Sequence, residues 1–584
     1  MQPAHKVCVI QRDEELQIVE EVVKSTGLSP PAVALMRTSK YESRCGEMNR
    51  DVAAYLTALL IGIAFASWLF PPHLLFPADY YNLPASGDLA HQIIGQRYFL
   101  LDQWQYPLLV TKLLRWPEGI SIAFTDSIPL VALPAKLVRR FLPPGFHGIF
   151  LFLAISWILQ PVAAVFALRS AGERRFVPAL AIAVIAISMP TLLYRSGLDH
   201  QALCAHFLIL FAIGVYFRTC GGSNVTLWTA PPILLVASLL VHPYLMAMVA
   251  AVLLAAPLSL VFRRDPRWVH AAVAFVAGAI VTAGLGFLFG YSHGVRPTGG
   301  YGYFSMNLLS PIDPAQSSLV PFFPTLVDAT GGQFEGYQYL GLGVLCLCTI
   351  SLLWIAGRMP LRMCARHVGL LAMALGLTLF ALSNTVFNGT FMVVHDLPLP
   401  ILFNSFRSSG RFFWPVAYLL VLGAIVCVSR RLRYPVAAVV LLAAACLQFA
   451  DASALRNAVR DHTHRQEKWE IDRATLEPLM QHSSQLTLWP RYECLPRIAG
   501  DPKYYHLLML ASQYGLRTNT VFTPSPASNG SCRAADVIGM PLSAGELRII
   551  LPQGETPNAE VPNAREQCRP LGPLIVCSTE VAGK

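Results

Sequence analysis

The chain has 584 residues, 54% of them hydrophobic and only 13% charged, with a formal net charge of +10 and a mean hydropathy of +0.49. Soluble domains carry roughly 25% charged residues, so this composition excludes an ordinary soluble protein and indicates an α-helical polytopic membrane protein. The excess charge does not mark a nucleic-acid binder: the Arg residues form short clusters between apolar stretches, with no basic face interleaved with aromatics, and the 13 Cys include no C-x-x-C or other zinc spacing.

Residues 1–50 lack the apolar core of a signal peptide; RDEELQIVEEVVKS reads as a short charged helix and TGLSPPA as the loop after it. Met48 stands directly before the first span, so the segment reads as a small cytoplasmic appendage or as an over-called start. Apolar stretches near the roughly 20 residues that cross a bilayer then run over 52–70, 147–168, 176–194, 201–217, 228–241, 244–262, 268–289, 339–356, 367–384, 412–428 and 434–450. That makes about eleven spans, each bounded by charge, Gly or Pro. Segment 127–142 is short, carries two Pro and ends in Lys136, Arg139 and Arg140. It reads as an interfacial or re-entrant piece of the loop 71–146, because counting it as a span would invert every later loop.

Orientation follows from the basic loops. With the N-terminus cytoplasmic, the inner loops hold Arg169, Arg174 and Arg175; Arg218; Arg263, Arg264 and Arg267; Arg358, Arg362 and Arg366; and Arg430, Arg431 and Arg433. The opposite face receives the loops 71–146, 290–338 and 385–411 and the tail 451–584. The tail is charged and punctuated by Pro, with a helix near 466–481 and strands at 485–489, 547–551 and 574–577, which reads as a small α/β domain. Its Cys494, Cys532, Cys568 and Cys577 are disulfide candidates on the oxidising side, with connectivity open.

Polar groups concentrate in those outer loops. In GDLAHQIIGQRYF a helix places Asp88, His91 and Gln92 on one face at i, i+3 and i+4, with Arg97 farther along. A carboxylate there suits general-base work or metal coordination, while a helix N-cap after Gly87 accounts for the same Asp. RSGLDHQ brings Asp199 and His200 to the same membrane face, where ionisable groups are costly and tend to be functional; Asp199 also reads as a cap. His206 reads as a core histidine, and His242 sits at the apex of a helical hairpin turned by Pro243. The Gly- and Tyr-rich loop around Tyr301 and Glu335 offers stacking faces for a sugar or headgroup, or an interfacial Tyr belt. In FRSSGRFFWP, Arg407 and Arg411 lie four apart, a spacing that suits a phosphate or pyrophosphate, or snorkelling at the interface.

Together GDLAHQ, TDSIPL, LYRSGLDHQAL, EGYQYLGLG and FRSSGRFFWP resemble the GT-C superfamily of membrane-embedded glycosyltransferases, which includes protein mannosyltransferases and aminoarabinose transferases. The resemblance covers approximately 52–578. It implies a GT-C-like transmembrane domain over 51–450 and a multi-pass protein of the bacterial inner membrane, with a polyprenyl-phosphate sugar as donor partner. By it Asp88 matches the first-loop acid that acts as base or metal ligand, and Asp199 the second-loop acid. The adjacent Asp-Glu pair of protein mannosyltransferases is missing from the first loop, which leaves a divalent-cation cofactor and the acceptor open. The expectation is glycosyl transfer with Asp88 and Asp199 as catalytic acids, and with His91, Arg97, His200, His242, Tyr301, Glu335, Arg407 and Arg411 binding substrate. The rival readings are a flippase for a lipid-linked saccharide, which would place its binding groups near the midplane, and a non-catalytic envelope-assembly protein.

Overall fold

A computed structural model describes residues 30–77, 87–292, 300–322, 326–355, 365–395, 397–398, 401–465, 468–494, 500–523, 540–551 and 568–579. The charged helix read at 12–25 and Cys532 lie outside the described residues. The first helix runs Pro30–Leu69, so the apolar run at 52–70 continues a helix that begins before it.

Among the described residues nine helices are long and apolar enough to cross a membrane: Asn49–Leu69, Ile149–Ser170, Phe176–Gly197, Gln201–Gly221, Asn224–Val241, Pro243–Phe262, Trp268–Phe289, Ser409–Arg431 and Tyr434–Asp451. The other two expected spans form shorter apolar helices, Leu342–Ile355 of 14 residues and Val368–Leu382 of 15. Backbone geometry trims them. Gly341 at φ +88° turns the chain into the first, and Ser383 at φ +70° ends the second. Several helices open on Pro in the first turn, as at Pro190, Pro243, Pro415 and Pro435, where the missing N–H costs nothing and φ is already helical.

The bundle has two chemically distinct ends. At one, Arg169 and Arg174 pair with Asp51, Arg175 donates to Ser429 O at 2.6 Å and Arg430 donates to Ala171 O at 3.0 Å. Arg263 joins the same end through Cys220 O at 3.2 Å and Arg366 O at 2.6 Å. The other end carries the long loops and the tail.

Segment 127–142 is a nine-residue helix, Pro129–Leu137, followed by a turn at Arg139–Phe141. The tail builds a five-stranded mixed sheet in the order Arg517–Thr518, Gln485–Trp489, Glu546–Ile550, Leu574–Ser578, Cys568–Leu571. The first three strands are parallel and the last two antiparallel. The tail helix expected near 466–481 occupies Arg473–Gln481. This sheet docks on the loop 71–146: Trp116 N donates to Thr518 O at 2.8 Å and Thr518 N to Leu113 O at 2.7 Å. Helix Gly87–Leu101 is therefore buried continuously from Leu89 to Leu100, with no solvent stripe.

Candidate functional site

Two glycines let the central ion pair form. A Cβ on Gly410 would lie 2.5 Å from Gly336 Cα, and one on Gly336 would lie 2.1 Å from Ser305 O. Only Gly allows so close an approach. It brings the turn Gln333–Gly336 against Ser409–Phe413, and Glu335 against Arg411. Arg411 Nε and Nη2 donate to the two carboxylate oxygens of Glu335, each at 2.9 Å, the bidentate geometry that favours Arg over Lys.

A second guanidinium closes on the same carboxylate. Arg195, in the last turn of Pro190–Gly197, donates Nη1 to Glu335 Oε2 at 2.5 Å and Nη2 to Glu335 O at 2.6 Å and Phe334 O at 3.2 Å. The three side chains are 1%, 8% and 10% exposed for Arg195, Glu335 and Arg411. Burial alone would raise the Glu335 carboxyl, but Arg195 and Arg411 outweigh it and hold the group well below the carboxylate range, so Glu335 is ionised.

The network continues to Asp88 through His200. Arg195 Nη1 lies 3.1 Å from His200 Nδ1, and guanidinium is donor-only. His200 Nδ1 therefore accepts, and the ring proton sits on Nε2. That nitrogen lies 3.0 Å from Asp88 Oδ2 and 3.9 Å from Glu335 Oε1. Asp88 is the open end of the chain, its side chain 41% exposed.

The next residue back takes a different partner. Asp199 adopts φ +61°, a left-handed conformation that Asp tolerates, and its Oδ1 meets His462 Nε2 at 2.8 Å on the tail helix Ser453–His464. Its backbone oxygen accepts from Gln92 Nε2 at 3.0 Å. Asp199 thus ties loop 198–200 to both the first-loop helix and the tail.

A second acid–histidine pair lies beside Arg411. His242 Nδ1 accepts from Tyr244 N at 3.1 Å and caps helix Pro243–Phe262, while its Nε2 lies 3.4 Å from Asp126 Oδ1. The Arg411 guanidinium stands 5.0 Å over the Tyr244 ring. Burial pushes the Asp126 carboxyl up, and the hydrogen bond to His242, with the Arg411 charge behind it, brings it below its ordinary value. Sequence reading passed over Asp126. Its signal was the acid of TDSIPL, one residue before a segment weighed only for its membrane character.

Four other candidates sit elsewhere. His91 points away from Asp88 into the tail, with Nε2 3.2 Å from Tyr505 OH and its ring stacked 3.9 Å from Phe522. Arg97 donates to Phe146 O at 3.2 Å. Tyr301 OH donates to Phe380 O at 3.1 Å, and Arg407 lies 5.1 Å over the Phe304 ring. Cys568 and Cys577 form a disulfide between directly paired residues of adjacent antiparallel strands, and Cys494 is also disulfide-bonded.

Among the described residues no three His, Cys, Asp or Glu side chains converge as a metal-binding set. Asp88 instead places Oδ2 3.0 Å from His200 Nε2. A family model described as a domain of unknown function, DUF6311, matches residues 59–453, a stretch that holds Asp88, Asp126, Asp199, His200, Glu335 and Arg411. No curated protein matches the chain.

Proposed function

The chain therefore belongs to the DUF6311 family, and from that premise we propose that it is a GT-C-type glycosyltransferase, moving a sugar from a polyprenyl-phosphate donor to an acceptor at the periplasmic face of a bacterial inner membrane. The observation that carries this reading is the exposed carboxylate of Asp88 at the end of an otherwise buried chain, His200–Arg195–Glu335–Arg411, at the end of the bundle opposite the Arg clusters.

The neutral His200 holds one Asp88 oxygen and leaves the other to take the proton of an acceptor hydroxyl. As that proton leaves, the acceptor oxygen attacks the anomeric carbon, and the bond to the phosphate oxygen breaks with its electron pair on the phosphate. The leaving group needs positive charge more than a proton. Glu335 already engages Nε and Nη2 of Arg411, so Nη1 is the guanidinium nitrogen left to meet the donor phosphate. Asp126 keeps His242 oriented for the same task. Asp199 acts by fixing loop 198–200 under the tail.

The test is transfer by the purified protein in proteoliposomes supplied with radiolabelled polyprenyl-phosphate hexoses and pentoses. Asp88→Asn keeps shape and capping ability but loses the base, so turnover falls by about 10² to 10⁴ with unchanged thermal stability. Full activity of Asp88→Asn would end the base assignment and favour the flippase reading.

A further inference from the structure

We propose that the β-hairpin Val386–Val394 is immersed in the bilayer leaflet at the end opposite the Arg clusters, with lipid acyl chains as the partner of its apolar surface. The proposal does not depend on the glycosyl-transfer reading.

The sequence of this outer segment is that of a lipid-contacting one. Residues 367–395 contain no Asp, Glu, Lys or Arg, so the uncharged character of helix Val368–Leu382 runs on into the hairpin, which carries Phe387, Phe391, Met392, Val393 and Val394. The strands pair Val386 with Val394 and Asn388 with Phe391, and the chain turns at Gly389, at φ +65°. A two-stranded hairpin alone is marginally stable at best in water. This one leaves Phe391 78%, Met392 50% and Val393 58% exposed, an uncovered patch of the kind that marks a contact surface. Successive strand residues point to opposite faces, so both faces of the second strand are apolar and open. A protein docked on one face would leave the other in water, whereas lipid covers both.

The level of the hairpin follows from the helix before it. Val368–Leu382 has 15 residues, about 22 Å of a hydrocarbon core about 30 Å thick, and its inner end meets the Arg cluster, where Arg263 Nε donates to Arg366 O at 2.6 Å. At its outer end Ala381 O accepts from Met306 N at 2.8 Å and from Ser409 Oγ at 3.5 Å, and Ser409 is the first residue of the membrane helix Ser409–Arg431. Two residues beyond Leu382 the base of the hairpin closes, with Leu397 N donating to Asn384 O at 3.0 Å. The hairpin therefore leaves the bundle at the outer boundary of the hydrocarbon core. Leu371, Leu375 and Leu379, four apart and exposed along the same helix, are the lipid-facing stripe that leads up to it.

The backbone of the hairpin is prepared for a medium of low polarity. Peptide groups without partners are costly away from water, and here the protein supplies partners. Asn307, which is buried, donates Nδ2 to Gly389 O at 2.8 Å and accepts from Gly389 N through Oδ1 at 3.0 Å. Leu308 N donates to Phe387 O at 3.0 Å. Asn307 Nδ2 also reaches Gln333 Oε1 at 3.0 Å, two residues before Glu335, so the hairpin and the turn that carries Glu335 form one hydrogen-bonded unit.

Photocrosslinking of the full chain in phosphatidylethanolamine and phosphatidylglycerol liposomes tests this. p-Benzoylphenylalanine is placed singly at Phe391, at Val393, at Leu379 on the lipid-facing stripe and at Gln481, which is exposed in the tail, and phospholipid adducts are read by mass spectrometry of the peptides. The expected result is an adduct at Phe391 and Val393 in a yield within about threefold of that at Leu379, and none at Gln481. Val393 repeats the test without disturbing the turn. Labelling at Leu379 with none at Phe391 and Val393 would overturn the proposal, since the hairpin would then stand clear of the lipid, and so would an adduct at Gln481 as strong as that at Phe391. A protein–protein adduct at Phe391 in place of the lipid one would overturn the bilayer as partner in favour of contact between copies of the chain.

Discussion

Glu335 is one carboxylate facing two buried guanidiniums, and that imbalance sets what its removal does. Glu335→Ala strands Arg195 and Arg411 in a site less than about a tenth exposed, and removing one partner of a buried ionic group typically costs about 3–5 kcal/mol. Arg407→Ala removes a guanidinium that rests over the Phe304 ring, so its cost stays nearer the small effects of surface substitutions, about 0.5 kcal/mol. Thermal unfolding in detergent compares the two, and equal shifts would refute the ionic hub. The pH dependence has a definite sign. The folded group titrates below its unfolded value of about 4.3, so its stabilisation is complete above that pH and declines as pH falls through the folded value. Arg411 lies in FRSSGRFFWP and was legible as a candidate anion ligand; that Glu335 fills its Nε–Nη2 edge was not, because the pairing joins segments 76 residues apart in sequence through two glycines whose need appears only on contact.

Helix Gly87–Leu101 shows how far local spacing carries. Its i, i+4 pair Asp88 and Gln92 does reach one loop, at His200 and at the Asp199 oxygen. His91, expected on that face, is drawn instead to Tyr505 and Phe522, partners more than 400 residues later that no periodicity could announce. Strands with dense apolar residues were legible, and Gln485–Trp489 was read to the residue; the two-residue Arg517–Thr518 strand, which carries the contact to Leu113 and Trp116, has too little pattern to be seen. The His91 seam also makes docking pH-sensitive. Burial pushes His91 down to about 3, against a weaker upward pull from Asp88, while the undocked ring titrates near 6.5. The docked state thus binds fewer protons, and its stability falls as pH drops from about 6.5 toward 3, by about 1.4 kcal/mol per unit while the difference is fully expressed. Hydrogen exchange in Pro502–Gln513 should accelerate between pH 7 and pH 5 beyond the intrinsic trend, and His91→Phe, which keeps a ring on Phe522, should flatten the change. An unchanged pH response in His91→Phe would locate the sensitivity in His506 or His147, both also lowered by burial.

At the scale of the whole molecule, the separation of charge between the two ends of the bundle was visible from the Arg clusters alone, because basic loops follow membrane side rather than tertiary contact. The folded chain gathers those clusters on one another, as Arg175 on Ser429 and Arg430 on Ala171, while Glu335, Asp88 and the tail gather at the opposite end. The short pair Leu342–Ile355 and Val368–Leu382 is the informative case. At about 1.5 Å per residue each covers only about 21–23 Å of a hydrocarbon core about 30 Å thick. Yet the hairpin starts beside Asp451, which accepts from Leu342 N at 2.9 Å, and reaches the Arg end, where Arg263 donates to Arg366 O at 2.6 Å. Counted as two crossings or as none, the pair leaves the sidedness of the tail unchanged, so fusions beyond it cannot tell the two apart, whereas a fusion between the two helices, at Arg366, can. With the N-terminus cytoplasmic, alkaline phosphatase joined after Ala450 should be active, and joined at Gly172 or Arg366 inactive. Activity at Arg366 alone would mean that the hairpin fails to cross and that the contact with Arg263 is lost in the membrane; activity at Gly172 with silence after Ala450 would invert the protein and place Asp88 in the cytoplasm.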